Sequence, residues 1–444
     1  MEALPKGSKK LLNAWAFYDW ANSVYSLVIS SAIFPIFYGA LTVLKDENGK
    51  ILDDTVTFLG QDLNNDTLFS WVTALAFLVV SFLSPFLSGI ADYVGNKKIF
   101  MQFFCYLGAV SCIGLFWFNL DFLWFGLLCY FTALIGFWGS LVFYNSYLPD
   151  IAFPEQQDKI SAKGFSMGYI GSVILLIICL VMILMYDTFG FEDEGLPTRL
   201  SFVLTGIWWI GFSQYTYKYL PKGNKKQKLT RNVLFNGFKE LRKIWFRLKE
   251  NKAQRRYLSA FFVYSMAVQT IMLVATYFGI EELDWGETDS TTGLIISILL
   301  IQLVAVLGAF ITSRASKRFG NIQTLIVINC IWIVICIYAY TITLPIQFYI
   351  TAAFVGLVMG GIQSLSRSTY SKLIPEGEKD TASFFSFYDV AEKIGIVIGM
   401  LSYGYVAQVT GSIRKAILFF IVFFVVGVIL LFFVPRTKPV KGTD

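Results

Sequence analysis

Long apolar runs dominate the chain, interrupted by short polar segments that are often charged. A helix needs about 20 mostly apolar residues to cross a bilayer core. Runs of that kind are predicted near 14–43, 67–91, 98–119, 121–146, 163–187 and 199–219. A second set follows near 257–280, 290–313, 321–341, 345–370, 381–409 and 413–434. Lipid offers the backbone no hydrogen-bond partner, so each run reads as a helix. The expected fold class is all-α integral membrane, with twelve transmembrane helices in two pseudo-symmetric six-helix bundles. The bundles span 1–219 and 257–444, and 220–256 is a cytoplasmic linker. The shortest link, Asn119 to Asp121, separates the third and fourth runs.

Composition agrees with this pattern. Charged residues make up 15% of the chain and apolar residues 56%, against roughly 25% charged in a soluble domain. Of the 36 Lys and Arg residues, 30 fall on the side of the termini and 5 on the other, with Lys393 inside a run. The positive-inside rule then makes both termini cytoplasmic; the expected location is the plasma membrane, as a multi-pass protein. Lys6, Lys9 and Lys10 resemble the start of a signal peptide, but the run from Trp15 to Tyr38 is too long for one. It reads as an uncleaved first helix. The six cysteines lie in apolar stretches and histidine is absent, so neither a disulfide framework nor a Cys/His metal site is expected. No cofactor and no nucleic-acid partner are expected.

Between the halves, Leu234, Phe238, Leu241, Trp245 and Leu248 recur at helical spacing among Lys239, Arg242, Lys243, Arg247 and Lys249. This predicts a basic amphipathic helix, lying on membrane lipids or serving as a solvated linker. The halves also resemble each other. Pro154-Glu155 precedes Ala162–Tyr169 much as Pro375-Glu376 precedes Ala382–Asp389. Such duplication is common in transporters. Small residues four apart (Gly136 and Ser140, Gly164 and Gly168, Gly356 and Gly360, Gly395 and Gly399) allow close helix approach, for sliding or for static packing.

Charges inside the runs are the candidate chemistry, because a carboxylate at mid-bilayer is costly unless it faces a cavity or a partner. At about 100° per residue, Trp15, Asp19, Asn22, Ser23, Ser26 and Ser30 form one polar stripe. Tyr18 adjoins it. Asp389, Glu392 and Lys393 share a face of the eleventh run, with Tyr388 beside them. Gln269 on the seventh run and Gln363 and Arg367 on the tenth are further cavity-lining candidates. Two readings stand. Asp19, Asp389, Glu392 and Lys393 bind solute or exchange protons, or Asp389 or Glu392 forms a structural ion pair with Lys393.

Gly89-Ile90-Ala91-Asp92-Tyr93-Val94-Gly95-Asn96-Lys97-Lys98 resembles the loop signature of the major facilitator superfamily. Here Gly89 stands three residues before Asp92, and Ser88 takes the usual glycine position. Asp92 is suited to a helix N-terminus in the opposite half. Gly89, Asp92, Gly95, Lys97 and Lys98 are the candidate cytoplasmic gate. Arg314, Lys317, Arg318 and Gly320 occupy the equivalent second loop without an acid, so the same latch is not expected there. Trp15–Ser23, Arg199 through Trp208-Trp209, and Gly360–Ser368 with Pro375, Phe384-Phe385, Tyr388 and Lys393 are similar to motifs of the Unknown Major Facilitator branch. That branch includes the autophagy-related vacuolar amino-acid effluxer of fungi. Many members carry an acid in span seven, where this chain has Tyr264-Ser265-Met266-Ala267.

The resemblance implies a monomeric secondary transporter with alternating access. The expected cargo is a small polar solute, an amino acid or related metabolite, moved by efflux with proton coupling. A membrane-embedded enzyme or non-transporting receptor is the alternative. No nucleophile–base constellation supports enzymatic chemistry.

Overall fold

The computed structural model describes residues 4–45, 51–223, 233–286 and 290–435. The side chain of Leu234, and the basic residues of 46–50, 224–232 and 436–444 used above for orientation, lie outside the described residues. The first helix, α1 (Lys9–Val24), continues through a π-helical segment (Tyr25–Ile33) into α2 (Phe34–Thr42). Two small antiparallel pairs follow, β1 (Leu44–Lys45) with β2 (Ile51–Asp53) and β3 (Thr55–Phe58) with β4 (Gln61–Asn64). Next come α3 (Asn65–Val94), α4 (Lys97–Gly114), α5 (Leu123–Ser146), α6 (Leu148–Ile151), α7 (Pro154–Leu184) and α8 (Gly195–Tyr219). The linker helix is α9 (Val233–Glu250). The remainder is α10 (Lys252–Glu282), α11 (Ser290–Phe319), α12 (Asn321–Ala339), α13 (Pro345–Leu373), α14 (Thr381–Thr410), α15 (Ile413–Phe419) and α16 (Ile421–Phe432).

Among the described residues, 10 helical stretches are long and apolar enough to cross a membrane. The expected set also contained α8 and α14, which are as long but more polar; α14 carries three charges in mid-helix. Some boundaries differ from the hydropathy reading. The fifth run begins at Pro154 rather than near 163, because its first turns are helical but polar. Proline suits the start of a helix, and Gln156 Oε1 accepts the Phe153 N–H at 3.1 Å. The third run ends at Gly114 in a 3-10 turn (Leu115–Trp117), and α5 starts at Leu123. The β pairs between the first two spans carry no apolar periodicity long enough to predict them.

Buried apolar side chains form two clusters. One draws on Leu11 to Leu220 with Ala382 and Ile396, and the other on Ile244 to Val434 with Tyr169. Phe82, Leu184, Val334 and Leu401 are among many large apolar side chains that stay exposed on the helices, as a lipid-facing surface requires.

Glycines set the closest helix contacts. A Cβ on Gly308 would sit 2.0 Å from the Leu357 carbonyl oxygen, and one on Gly360 2.1 Å from that of Ala305, so α11 and α13 touch backbone to backbone. Gly136 meets Gly108 in the same way, and Gly399 meets Thr270. Gly395 makes only ordinary contacts. Gly95 closes α3 at φ 72°, where other residues are strained.

The linker helix α9 docks on the bundle with Ile244 and Leu248 buried and Phe238 and Trp245 exposed. Its buried stripe is thus rotated from the one the spacing suggests. Arg247 pairs with Glu378 at 2.9 Å and Lys243 with Asp380 at 3.5 Å, tying α9 to the segment before α14.

Gly308→Val is expected to lower unfolding stability in detergent by about 1–3 kcal/mol through overpacking. Gly404→Val, at a position with open space around it, is expected to leave the thermal midpoint nearly unchanged.

Candidate functional site

The polar stripe of α1 faces inward because lipid would leave it unpaired. Asp19, Asn22, Ser23, Ser26 and Ser30 line a cavity of about 280 Å³ between the two apolar clusters. The π-helical winding from Tyr25 onward also turns Leu27 and Ser31 onto that wall. A regular α-helix read at constant phase misses them. Gln269, Gln363, Arg367, Tyr388 and Glu392 line the opposite side. Trp15 and Tyr18 do not reach the cavity. Trp15 stacks on Tyr144 with ring centroids 4.6 Å apart, and Tyr18 packs between Tyr144 and Tyr217.

Asp19 is paired with Arg367 of α13. Both terminal nitrogens of Arg367 donate to Asp19 Oδ2 at 3.2 Å, and Tyr144 Oη donates to the same oxygen at 2.8 Å. The rest of the guanidinium is also occupied. Nε donates to Ser161 Oγ at 2.9 Å, Nη2 to the Ser161 carbonyl at 3.0 Å, and Nη1 to Asn145 Oδ1 at 3.3 Å. Its face lies 4.2 Å from the Phe165 ring centroid and 4.8 Å from that of Trp15. A planar, weakly hydrated cation suits such a site better than an ammonium. Gly164 makes room for it, since a Cβ there would stand 2.4 Å from Asp19 Oδ2.

The α14 trio forms a second charge site. Lys393 Nζ lies 2.6 Å from Asp389 Oδ1, 2.9 Å from Glu392 Oε2 and 3.6 Å from the Trp138 ring centroid. Ser84 Oγ donates to Asp389 Oδ2 at 3.1 Å, and Gln269 Nε2 to Glu392 Oε1 at 2.7 Å. Only Glu392 of the three lines the cavity; Asp389 and Lys393 stand behind it. Tyr388 stacks on Phe261 at 4.0 Å.

At the end of the bundle that carries the termini, Asp92 caps the opposite part. Its carboxylate accepts the Ser383 N–H at 2.7 Å and the Ala382 N–H at 3.3 Å, both in the first turn of α14. Those N–H groups have no helical acceptor of their own. Lys97 Nζ meets Asp150 at 2.5 Å and donates to Thr381 Oγ1 at 2.8 Å. Lys98 donates to the Tyr217 and Leu220 carbonyls, joining α4 to the end of α8. Gly89 is buried within α3.

The second loop also closes, which the sequence did not anticipate. Its acid comes from α7. Asp158 pairs with Lys372 at 2.5 Å and accepts from Ser316 Oγ at 3.1 Å and Asn321 Nδ2 at 2.9 Å. Arg314, Lys317 and Arg318 stay exposed. Asp158 was missed because it lies in the polar stretch assigned to a loop. Ser161 lies in the same polar stretch; Trp138, Tyr144 and Asn145 are polar or aromatic residues scattered in an apolar run, which carry no periodic signal.

The family model described as "Vacuole effluxer Atg22 like" matches residues 7–442. The chain belongs to the Atg22-like family of major facilitator transporters. An MFS-type transporter of Bacillus subtilis, YxiO, is 33% identical over 96% of this chain and 94% of its own length. Autophagy-related protein 22 of Coccidioides immitis is 25% identical over 92% of this chain and 84% of that one. The fold is similar to FucP, a major facilitator transporter crystallised in the outward conformation, with TM-score 0.66 and 16% identity. The match covers 96% of this chain and 99% of that one. The proton:xylose symporter XylE gives TM-score 0.66 at 13% identity, covering 97% and 96%. This Atg22-like chain is therefore a multi-pass membrane protein of transporter kind.

Arg367→Met leaves Asp19 buried without its cation and is expected to cost about 3–5 kcal/mol of stability. In a double-mutant cycle with Asp19→Asn, the combined loss should be clearly smaller than the sum. Additive losses in chemical denaturation would mean the two side chains do not interact.

Proposed function

We propose that the chain is a secondary active transporter that moves a small polar solute by alternating access. The observation that carries this reading is the cavity between the two parts, walled by α1, α5, α7, α10, α13 and α14. Hydrogen bonds and ion pairs run from that cavity to the terminal end: Asp19–Arg367, Tyr169–Gln363, Ser161–Ser364, Asp158–Lys372 and Asp92–Ser383. On this reading the structure is the form closed on the terminal side. The unit is twelve spans, with α8 and α14 completing the set, divided as 1–219 and 257–444 around the linker 220–256. The termini are cytoplasmic, on the strength of the basic-residue asymmetry. The family description supports efflux, and amino acids and related metabolites are the first solutes to screen.

Coupling to protons is assigned to Asp19, Asp389 or Glu392. Each is a carboxyl in the bundle interior; Asp19 and Asp389 bond to Arg367 and Ser84 across the two parts, contacts that change if the parts move, while Glu392 bonds to Gln269 within its own part and lines the cavity. Substrate efflux from proteoliposomes across an imposed pH gradient tests this. Asp19→Asn and Glu392→Gln are expected to flatten the pH dependence in at least one case. An unchanged dependence in both would remove proton exchange from Asp19 and Glu392.

A further inference from the structure

We propose that the cavity binds a solute of net single positive charge: an ammonium group sits against Glu392 among aromatic rings, and a neutral hydrogen-bond acceptor meets Asn22. The inference rests on the cavity being the transport site and narrows its cargo.

Charge balance leads there. Three carboxylates in the bundle interior, Asp19, Asp389 and Glu392, face two cations, Arg367 and Lys393. Arg367 is taken up by Asp19, and Lys393 is shared between the other two. With all three carboxyls ionised, one negative charge is left over, and it belongs to the group that meets the cavity. The Glu392 side chain is 17% exposed, against 7% for Asp389 and 1% for Lys393. Gln269 gives Glu392 an N–H but no charge. A charge in such surroundings calls for a counter-charge.

The rings nearby favour the same ligand. Phe261, Tyr264 and Tyr388 line the cavity, Tyr264 and Tyr388 nearest Glu392, and aromatic rings attract ammonium groups and repel anions; the Trp138 face is already taken by Lys393. An anionic solute would need Arg367, whose donors are already engaged with Asp19, Ser161 and Asn145. A zwitterion would leave the surplus charge uncompensated.

The wall formed by α1 supplies the other end. Asn22 is 1% exposed, lines the cavity, and has no partner for Nδ2. An amide nitrogen only donates, so the solute must offer it an acceptor. A buried donor left unpaired is unfavourable, which makes the empty wall selective for solutes that satisfy it.

Thermal stabilisation of the purified full chain by phenethylamine, tyramine, phenylalanine and phenethyl alcohol tests the proposal. Phenethylamine is expected to bind at least tenfold more tightly than phenylalanine or the alcohol. Glu392→Gln should erase that preference. Asn22→Leu should erase any advantage of tyramine over phenethylamine. Should Glu392→Gln not fold, Glu392→Asp must keep the preference and Tyr388→Leu must weaken amine binding. Equal binding of alcohol or phenylalanine, absence of amine binding, or a preference that survives Glu392→Gln overturns the proposal. Counterflow in proteoliposomes separates it from the transport reading. Amine binding without flux contradicts transport and leaves the subsite standing. Flux of neutral solutes without amine preference does the reverse.

Discussion

A charge inside the hydrocarbon layer must find a counter-charge or a wet cavity, and the Asp19–Arg367 pair meets that need by joining the two parts of the molecule. Asp19 comes from α1 and Arg367 from α13, so neither part can satisfy its own charge alone. The surrounding sequence serves the pair. Gly164 leaves space for the carboxylate, Tyr144 donates to it, and Trp15 and Phe165 cover the guanidinium. If the parts separate, both charges lose their partners together. The pair thus links the electrostatics of the interior to the closed arrangement of the helices.

The α14 trio behaves differently. Its ion pairs lie within one helix, so they survive a movement of α14 against α3 and α5, and only the contacts to Ser84 and Trp138 would change. One charge site therefore belongs to the contact between parts, and the other to one helix and its cavity wall. Two reciprocal acid contacts brace the terminal end. Asp92 of α3 meets the start of α14, and Asp158 of α7 meets the turn between α11 and α12. The chain segments that follow Pro154 and Pro375 are similar in sequence and hold corresponding places in these two braces.

Most of the bundle was legible in the sequence, because apolar run length and charge exclusion act locally and repeat along the chain. The stripe on α1 was legible for the same reason, as were the Asp92 turn and the clustering of Asp389, Glu392 and Lys393. Pairings were not. The partner of Asp19 lies 348 positions away, and nothing in either helix's periodicity specifies it. Asp158 escaped notice because a polar start to a membrane helix looks like a loop. The π-helical segment was invisible because its composition is that of any apolar helix, although it decides that Ser31 and Leu27 face the cavity. The linker helix was found, but its buried side depends on where Glu378 and Asp380 stand.

On the proposed transport reading, Asp92, Asp158 and the Asp19–Arg367 pair hold the terminal end closed. Spin-label distances between Glu155→Cys and Lys317→Cys, both exposed at that end, test it directly in a background with the native cysteines replaced. A single short distance is predicted for the otherwise unmodified chain, with a longer population emerging when Asp92→Asn and Asp158→Asn are combined. An unchanged distance distribution in that double variant would contradict the account.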